Sequence, residues 1–264
     1  MSGAATLKSC CAAVYQSDFA RLLLGDSFHP GGLALTERIG ELLALSPADH
    51  LLDVASGRGE SAISLAGRFG CRVTGVDFGE SNIAYATSRS EATNVAALVQ
   101  FEIGDAEQLH FPDAVFDAVF CECAFCTFPD KRAAAREFVR VLRPGGRLGL
   151  SDLTRSGALP PELEGLLAWI ACIGDARHTN EYVECLAEAG FDSITIEPHD
   201  DALARMLRDI QGRLLAAELM VKLEKINLSG VDFREAKTMA ACAADAIRSG
   251  LLGYTVIAAK KPCG

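Results

Sequence analysis

The chain has 264 residues, half of them apolar, enough for one large α/β domain or two small ones with a sizeable core. With 25 basic and 35 acidic residues its formal net charge is −10, which argues against a nucleic-acid partner, because binding a polyanion needs basic groups that displace counterions. No apolar run reaches membrane-spanning length and MSGAATLKSCC lacks a signal core, so a soluble cytoplasmic protein without a membrane partner is expected.

Residues 1–48 read as helices with a loop. AAVYQSDFARLLL has helical spacing, GDSFHPGG breaks it, and LALTERIGELLAL is a second amphipathic helix. From residue 50 the rhythm changes: HLLDVAS, CRVTGVDF, VQFEIGDA, FDAVFCECA and RLGLSDL read as buried strands. The helices ESAISLAGRFG, closed by Gly70, SNIAYATSRSEA and KRAAAREFVRVLR, stopped by Pro144-Gly145-Gly146, fall between them. Such alternation makes βαβ units, hence a parallel sheet covered on both faces. Beyond residue 153 come a helix PPELEGLLAWIACIG, a helix TNEYVECLAEAGF with Thr179 as N-cap, a strand SITIEP, helices over 201–226 and 231–249, and a closing strand GYTVIAAKK.

LLDVASGRGESA carries the strongest chemistry. Asp53 ends a strand, and Gly57 and Gly59 turn the chain into a helix so that a ligand can approach the backbone. Asp77 ends the next strand 18 residues beyond Gly59, a spacing that suits a carboxylate accepting from ribose hydroxyls. Gly57-x-Gly59-x-x-Ala62 also satisfies the dinucleotide fingerprint, so a nicotinamide-dependent oxidoreductase stays open. Three features favour S-adenosylmethionine (SAM). Asp53, four residues before Gly57, can meet an ammonium group; Asp105 follows the third strand, where it can accept from an adenine amino group; and two helices precede the first strand.

The stretches LLDVASGRG, VTGVDF, GDAEQLHFPDAVFDAVF and FVRVLRPGGRLGLSDL, in this order over residues 50–153, resemble the class I SAM-dependent methyltransferases. The resemblance implies a Rossmann-like, seven-stranded, mostly parallel α/β sheet with helices on both faces. It divides the chain into a helical lid segment 1–48, a SAM-binding core 49–153 and substrate-side helices and strands 154–264, within one compact domain. It implies cofactor contacts from Tyr15, Asp53, Ala55, Ser56, Gly57, Gly59, Asp77, Phe78, Asp105, Ala106 and Glu122, with S-adenosylhomocysteine as product. Ala55 stands where the family's loop usually has its first glycine.

LKSCC, FCECAFCTFPDK and LPPELEGLLAWIACIGDARHTNEYVECLAEAGF further resemble the arsenite methyltransferases. That implies thiolates holding trivalent arsenic before the methyl group, and cysteines that reduce the product, with Cys10, Cys11, Cys123 and Cys172 at the matching positions and a thiol reductant as partner. Glu122 replaces that family's Asn, and His199-Asp200 occupy the region of its further arsenic-binding Cys, so the metalloid would rest on Cys123, Cys126 and Cys172. The alternative acceptor is a small organic molecule such as a quinone, sterol or natural product. A non-catalytic metalloid-binding protein on a vestigial SAM fold is a further reading.

Ten cysteines in a reducing compartment are not a disulfide framework. Cys71 and Cys242 read as core fillers and Cys263 as incidental to the tail. In CECAFC, strand alternation points Cys121 and Cys123 one way and Glu122 the other. No second C-x-x-C accompanies the run, against a structural zinc site. His29 reads as a turn residue, and His178 and His199 as surface residues.

Overall fold

Strands β1 (His50–Val54), β2 (Arg72–Asp77), β3 (Val99–Ile103) and β4 (Phe116–Glu122) pair in parallel, and β4 pairs in parallel with β5 (Leu142–Arg155). In this computed structural model, which describes residues 29–163, 172–225, 228 and 231–264, two further strands complete the sheet. β6 (Asp192–Pro198) and β7 (Leu252–Lys260) join in the order β3-β2-β1-β4-β5-β7-β6, and β7 alone runs antiparallel. Cys10, Cys11, Tyr15 and most of the helix expected in PPELEGLLAWIACIG lie outside the described residues.

The apolar runs become the centre of the sheet. Leu51, Leu52 and Val54 are at most 1% exposed, as a strand covered on both faces requires. The covering helices are α1 (Gly32–Leu42), α2 (Glu60–Phe69), α3 (Glu80–Glu91), α4 (Lys131–Val141) and α5 (Thr179–Ala189). Local chemistry sets their ends. Gly70, at φ 70°, closes α2, and the Asp130 carboxylate caps α4 by accepting from the Ala133 N–H at 2.8 Å. The N-cap of α5 is His178 rather than Thr179. The His178 N–H donates to the Glu181 carboxylate at 3.3 Å, and this reach-back by the third helical residue fixes the helix start one residue earlier than the hydroxyl suggests.

Two long helices, α6 (Asp200–Lys222) and α7 (Phe233–Arg248), lie side by side. The Gln211 side chain donates to the Ala240 carbonyl at 3.2 Å, Lys237 pairs with Glu218 at 2.8 Å, and Asp200 ties the start of α6 to β7 by accepting from the Tyr254 N–H at 2.9 Å. No helix among the described residues is long and apolar enough to cross a membrane. The strand order reverses between β1 and β4, and ligands of open α/β sheets bind outside the carboxyl ends of the strands at that reversal.

Candidate active site

The expected cofactor residues gather at that reversal. After β1, Ala55 (φ 59°) and Gly57 (φ 52°) take the left-handed conformation, and Gly59 (φ 78°) caps α2. A side chain on Gly57 would meet nothing within 4 Å, whereas one on Gly59 would lie 2.5 Å from the Phe101 ring. Gly57 therefore faces the open crevice, and Gly59 lets α2 close down on β3. Asp77 fixes the loop by accepting from the N–H groups of Gly57 (2.9 Å) and Gly79 (2.8 Å) and from Asn82 (3.1 Å). Burial pushes its carboxyl up, and these donors oppose the shift. Phe78, just beyond, is 43% exposed; Asp105 is half-buried, accepting from the Glu107 N–H at 3.0 Å, and Ala106 is buried.

Glu122 closes the other side. Its Oε2 accepts from Thr36 Oγ1 (2.9 Å) and Ser61 Oγ (3.0 Å), while Oε1 lies 3.2 Å from His29 Nδ1 without hydrogen-bond alignment. Sequence reasoning did not place Thr36 or Ser61 here; His29, read as a turn residue, does lie in a bend, and nothing local in HPGG, LTER or GESA signals a glutamate in β4. Burial raises the Glu122 carboxyl, with His29, Thr36 and Ser61 pulling it back. Asp53 is pushed up further, by burial and then by the charges of Glu122 and Asp77. Asp53 Oδ2, Ser56 Oγ and Glu122 Oε1 are buried without a hydrogen-bond partner. Buried polar atoms of this kind need partners, and two crowded carboxylates need a cation. The donor set thus fits a ligand carrying an ammonium or sulfonium group.

Three thiols lie near one another beside this crevice. Cys172 Sγ donates to the Cys123 carbonyl at 3.4 Å and is in side-chain contact with both Cys123 and Cys126. Cys123 (φ 51°) and Cys172 (φ 62°) both adopt the left-handed conformation that L-residues rarely take. The turn at Cys123 ends the strand alternation at Glu122, so the expected shared orientation of Cys121 and Cys123 does not carry past the strand. Cys121 is fully buried, and so is Cys71, whose thiol donates to the Leu65 carbonyl at 3.8 Å. The contact with Cys172 and burial raise the Cys123 thiol, and burial foremost raises Cys126. Neither is a ready thiolate at neutral pH. Among the described residues no group of three side chains has metal-ligand geometry.

Asp152, fully buried on β5, holds this corner: its carboxylate accepts from the Cys126 N–H at 2.7 Å and the Leu153 N–H at 2.8 Å. Burial and the neighbouring Cys172 push it up to about 7. A carboxyl raised by folding keeps its proton longer in the folded chain than in the unfolded one, so stability falls as pH rises between about 4 and about 7. Asp152→Asn, which keeps an acceptor for the Cys126 N–H, is expected to flatten part of that fall, as followed by urea unfolding at several pH values. An unchanged pH slope would count against it.

Next to the thiols lies an apolar cavity of about 130 Å³. Its walls are Leu153 from β5, the inward faces of α6 (Leu203, Leu207, Ile210) and α7 (Ala240, Ala243), and Cys123 and Cys172 at the end nearest Glu122. Among the described lining residues none is charged.

A methyltransferase-domain family profile matches residues 52–150, the stretch that holds the glycine turn and Asp53, Asp77, Asp105 and Glu122. The chain is 35% identical over 170 residues to 27-O-demethylrifamycin SV methyltransferase of Amycolatopsis mediterranei, covering 62% of this chain and 61% of that one. It spans a smaller share, 35–36%, of plant phosphoethanolamine N-methyltransferases. It is 31% identical over 199 residues to O-methyltransferase cnsE of Penicillium expansum, covering 74% of this chain and 71% of that one. In fold it superposes on Haemonchus contortus phosphoethanolamine N-methyltransferase 2, solved with phosphomonomethylethanolamine and S-adenosylhomocysteine, with TM-score 0.80, 20% identity, and coverage of 97% of this chain and 60% of that one. The ambiguity of the glycine fingerprint is thereby resolved away from a nicotinamide: with its glycine turn, its three strand-end acids and its seven-stranded sheet, the chain belongs to the class I SAM-dependent methyltransferases.

Proposed function

We propose that this protein transfers the methyl group of SAM to a small organic acceptor held in the apolar cavity between the sheet and helices α6 and α7. The observation that carries this reading is the position of the cavity: Cys123 lines it, and the preceding residue, Glu122, belongs to the carboxylate crevice. In this reading Asp53 and Glu122 accept from the methionine ammonium, Asp77 from the ribose hydroxyls and Asp105 from the adenine amino group. Ala55, Ser56, Gly57 and Gly59 supply the close approach, and Phe78 and Ala106 flank the adenine ring. When bound, SAM supplies an already activated methyl on a sulfonium centre. The chain then has to align the acceptor with that methyl and keep water out, which apolar walls do. The names of the rifamycin and fungal relatives support an organic acceptor.

The test is a panel of apolar hydroxyl- and quinone-bearing acceptors offered with SAM, reading S-adenosylhomocysteine. Acceptor-dependent product is expected. A protein that binds SAM and yields no acceptor-dependent product would overturn the reading.

The convergence of Cys172 on Cys123 and Cys126 favours a second reading, trivalent arsenic as acceptor. A soft lone pair on arsenic needs no general base, which suits a cavity with no charged side chain among its described lining residues. Arsenite offered in excess thiol separates the two. Methylated arsenic that disappears in Cys172→Ser would replace the organic acceptor; its absence would leave the organic acceptor alone.

A further inference from the structure

We infer that the gap between α6 and α7 is the specificity element of the acceptor site, a slot for an uncharged, linear or flat apolar tail, with Ala240 setting its width. The inference rests on the acceptor reading of the cavity and goes beyond it in naming the class of acceptor. The slot is long: on α6 its lining runs from Leu203 to Leu214, eleven helical steps that span about 16 Å at the rise of an α-helix. On α7 it runs from Ala236 to Ile247, the same distance along the partner helix.

The two helices are not equivalent walls. α6 contributes branched or long side chains, whereas α7 contributes alanines at 236, 240 and 243 together with Met239 and Ile247. The three alanines leave room on the α7 side that the side chains of α6 do not fill. Ala240 marks where the walls are tied together, because its carbonyl accepts from the Gln211 side chain on α6. A larger residue there has nowhere to go but the slot, since Ala240 is 4% exposed.

The described lining disfavours charged occupants. Among the described lining residues the only protic side chains are the Cys123 and Cys172 thiols, at one end. An ammonium, carboxylate or phosphate along the slot would lose its hydration without gaining a partner. The slot therefore differs from what a phosphobase would need, and the acceptor's polar atoms belong at the thiol end, next to the methyl donor.

The inference is tested by binding, independently of turnover. Wild-type protein saturated with S-adenosylhomocysteine is titrated calorimetrically with straight-chain alcohols from hexanol to decanol. Affinity is expected to tighten by about four-fold per added methylene, the transfer value for a buried CH₂ group. Ala240→Phe is expected to abolish that chain-length dependence while leaving SAM affinity within two-fold of wild type. Ala243→Leu, a smaller addition one turn away, carries the test if Ala240→Phe does not fold, and should end the affinity gain at a shorter chain. Wild-type protein that binds SAM but shows no chain-length dependence would overturn the inference, as would an Ala240→Phe protein that keeps it. Chain-length dependence without any acceptor-dependent S-adenosylhomocysteine would uphold the slot and sink the methyl-transfer reading instead.

Discussion

Asp53→Asn is expected to weaken SAM binding by about 100-fold, close to 2.7 kcal/mol, and at the same time to raise the melting temperature of the ligand-free protein. The two effects share one cause. Asp53 is 2% exposed, its Oδ2 has no hydrogen-bond partner among the described residues, and its carboxyl is raised by burial and by the charges of Glu122 and Asp77. A carboxyl raised in this way destabilises the folded chain as pH climbs above the value of an unfolded aspartate, because ionising it in the crevice costs more than ionising it in water. The amide removes that cost and also removes the anion that a cationic ligand would neutralise. Protons should follow the same logic. A cation between Asp53 and Glu122 lowers both carboxyls, so wild-type protein should release protons on binding SAM, and its affinity should weaken as pH falls. Calorimetry in buffers of differing ionisation enthalpy reads that release, and Asp53→Asn should reduce it. A variant that binds SAM as tightly as wild type, with undiminished proton release, would remove Asp53 from the cofactor site.

Gly59→Ala should cost about 2–5 kcal/mol of folding stability, a large share of the 5–15 kcal/mol that holds a typical domain. Its φ of 78° is unfavourable for any residue with a Cβ, and the added carbon would sit 2.5 Å from the Phe101 ring and 2.9 Å from Ala86. The ring belongs to β3 and the methyl to the buried face of α3, which cannot move aside without disturbing the packing of α2 on the sheet. Gly57→Ala is the informative partner. It has a similar backbone conformation, φ 52°, but no neighbour within 4 Å. It should fold with a loss of about 1–2 kcal/mol and show its defect in SAM binding, because the new methyl projects into the crevice. Urea unfolding and SAM titration of the pair separate the two roles. Equal unfolding midpoints for both variants would contradict the assignment of Gly59 to helix–sheet closure.

What the sequence determined by itself is local. The alternation of apolar strands with amphipathic helices, the Gly57–Gly59 turn and acids at three strand ends are readable because each depends on near neighbours in the chain and on the period of the element that carries them. Hence the seven strands, the cofactor loop and the placing of Asp53, Asp77 and Asp105 could be read directly. The convergence of side chains from distant segments could not. Glu122 finds Thr36 across 86 positions and Ser61 across 61, and Cys172 reaches the Cys123 carbonyl across 49. These meetings follow from a sheet order of β3-β2-β1-β4-β5-β7-β6, which puts β4 beside β1 and inserts β7 between β5 and β6. The apolar cavity depends likewise on how α6 and α7 are brought together. CECAFC shows both kinds of information in six residues. Its strand part, through Glu122, follows the period of two; at Cys123 a positive φ, held by the Cys123 N–H donating to the Ser151 carbonyl at 2.8 Å, breaks that period and turns the thiol toward Cys172. Only the neighbouring strand, brought there by the folded sheet, supplies that carbonyl.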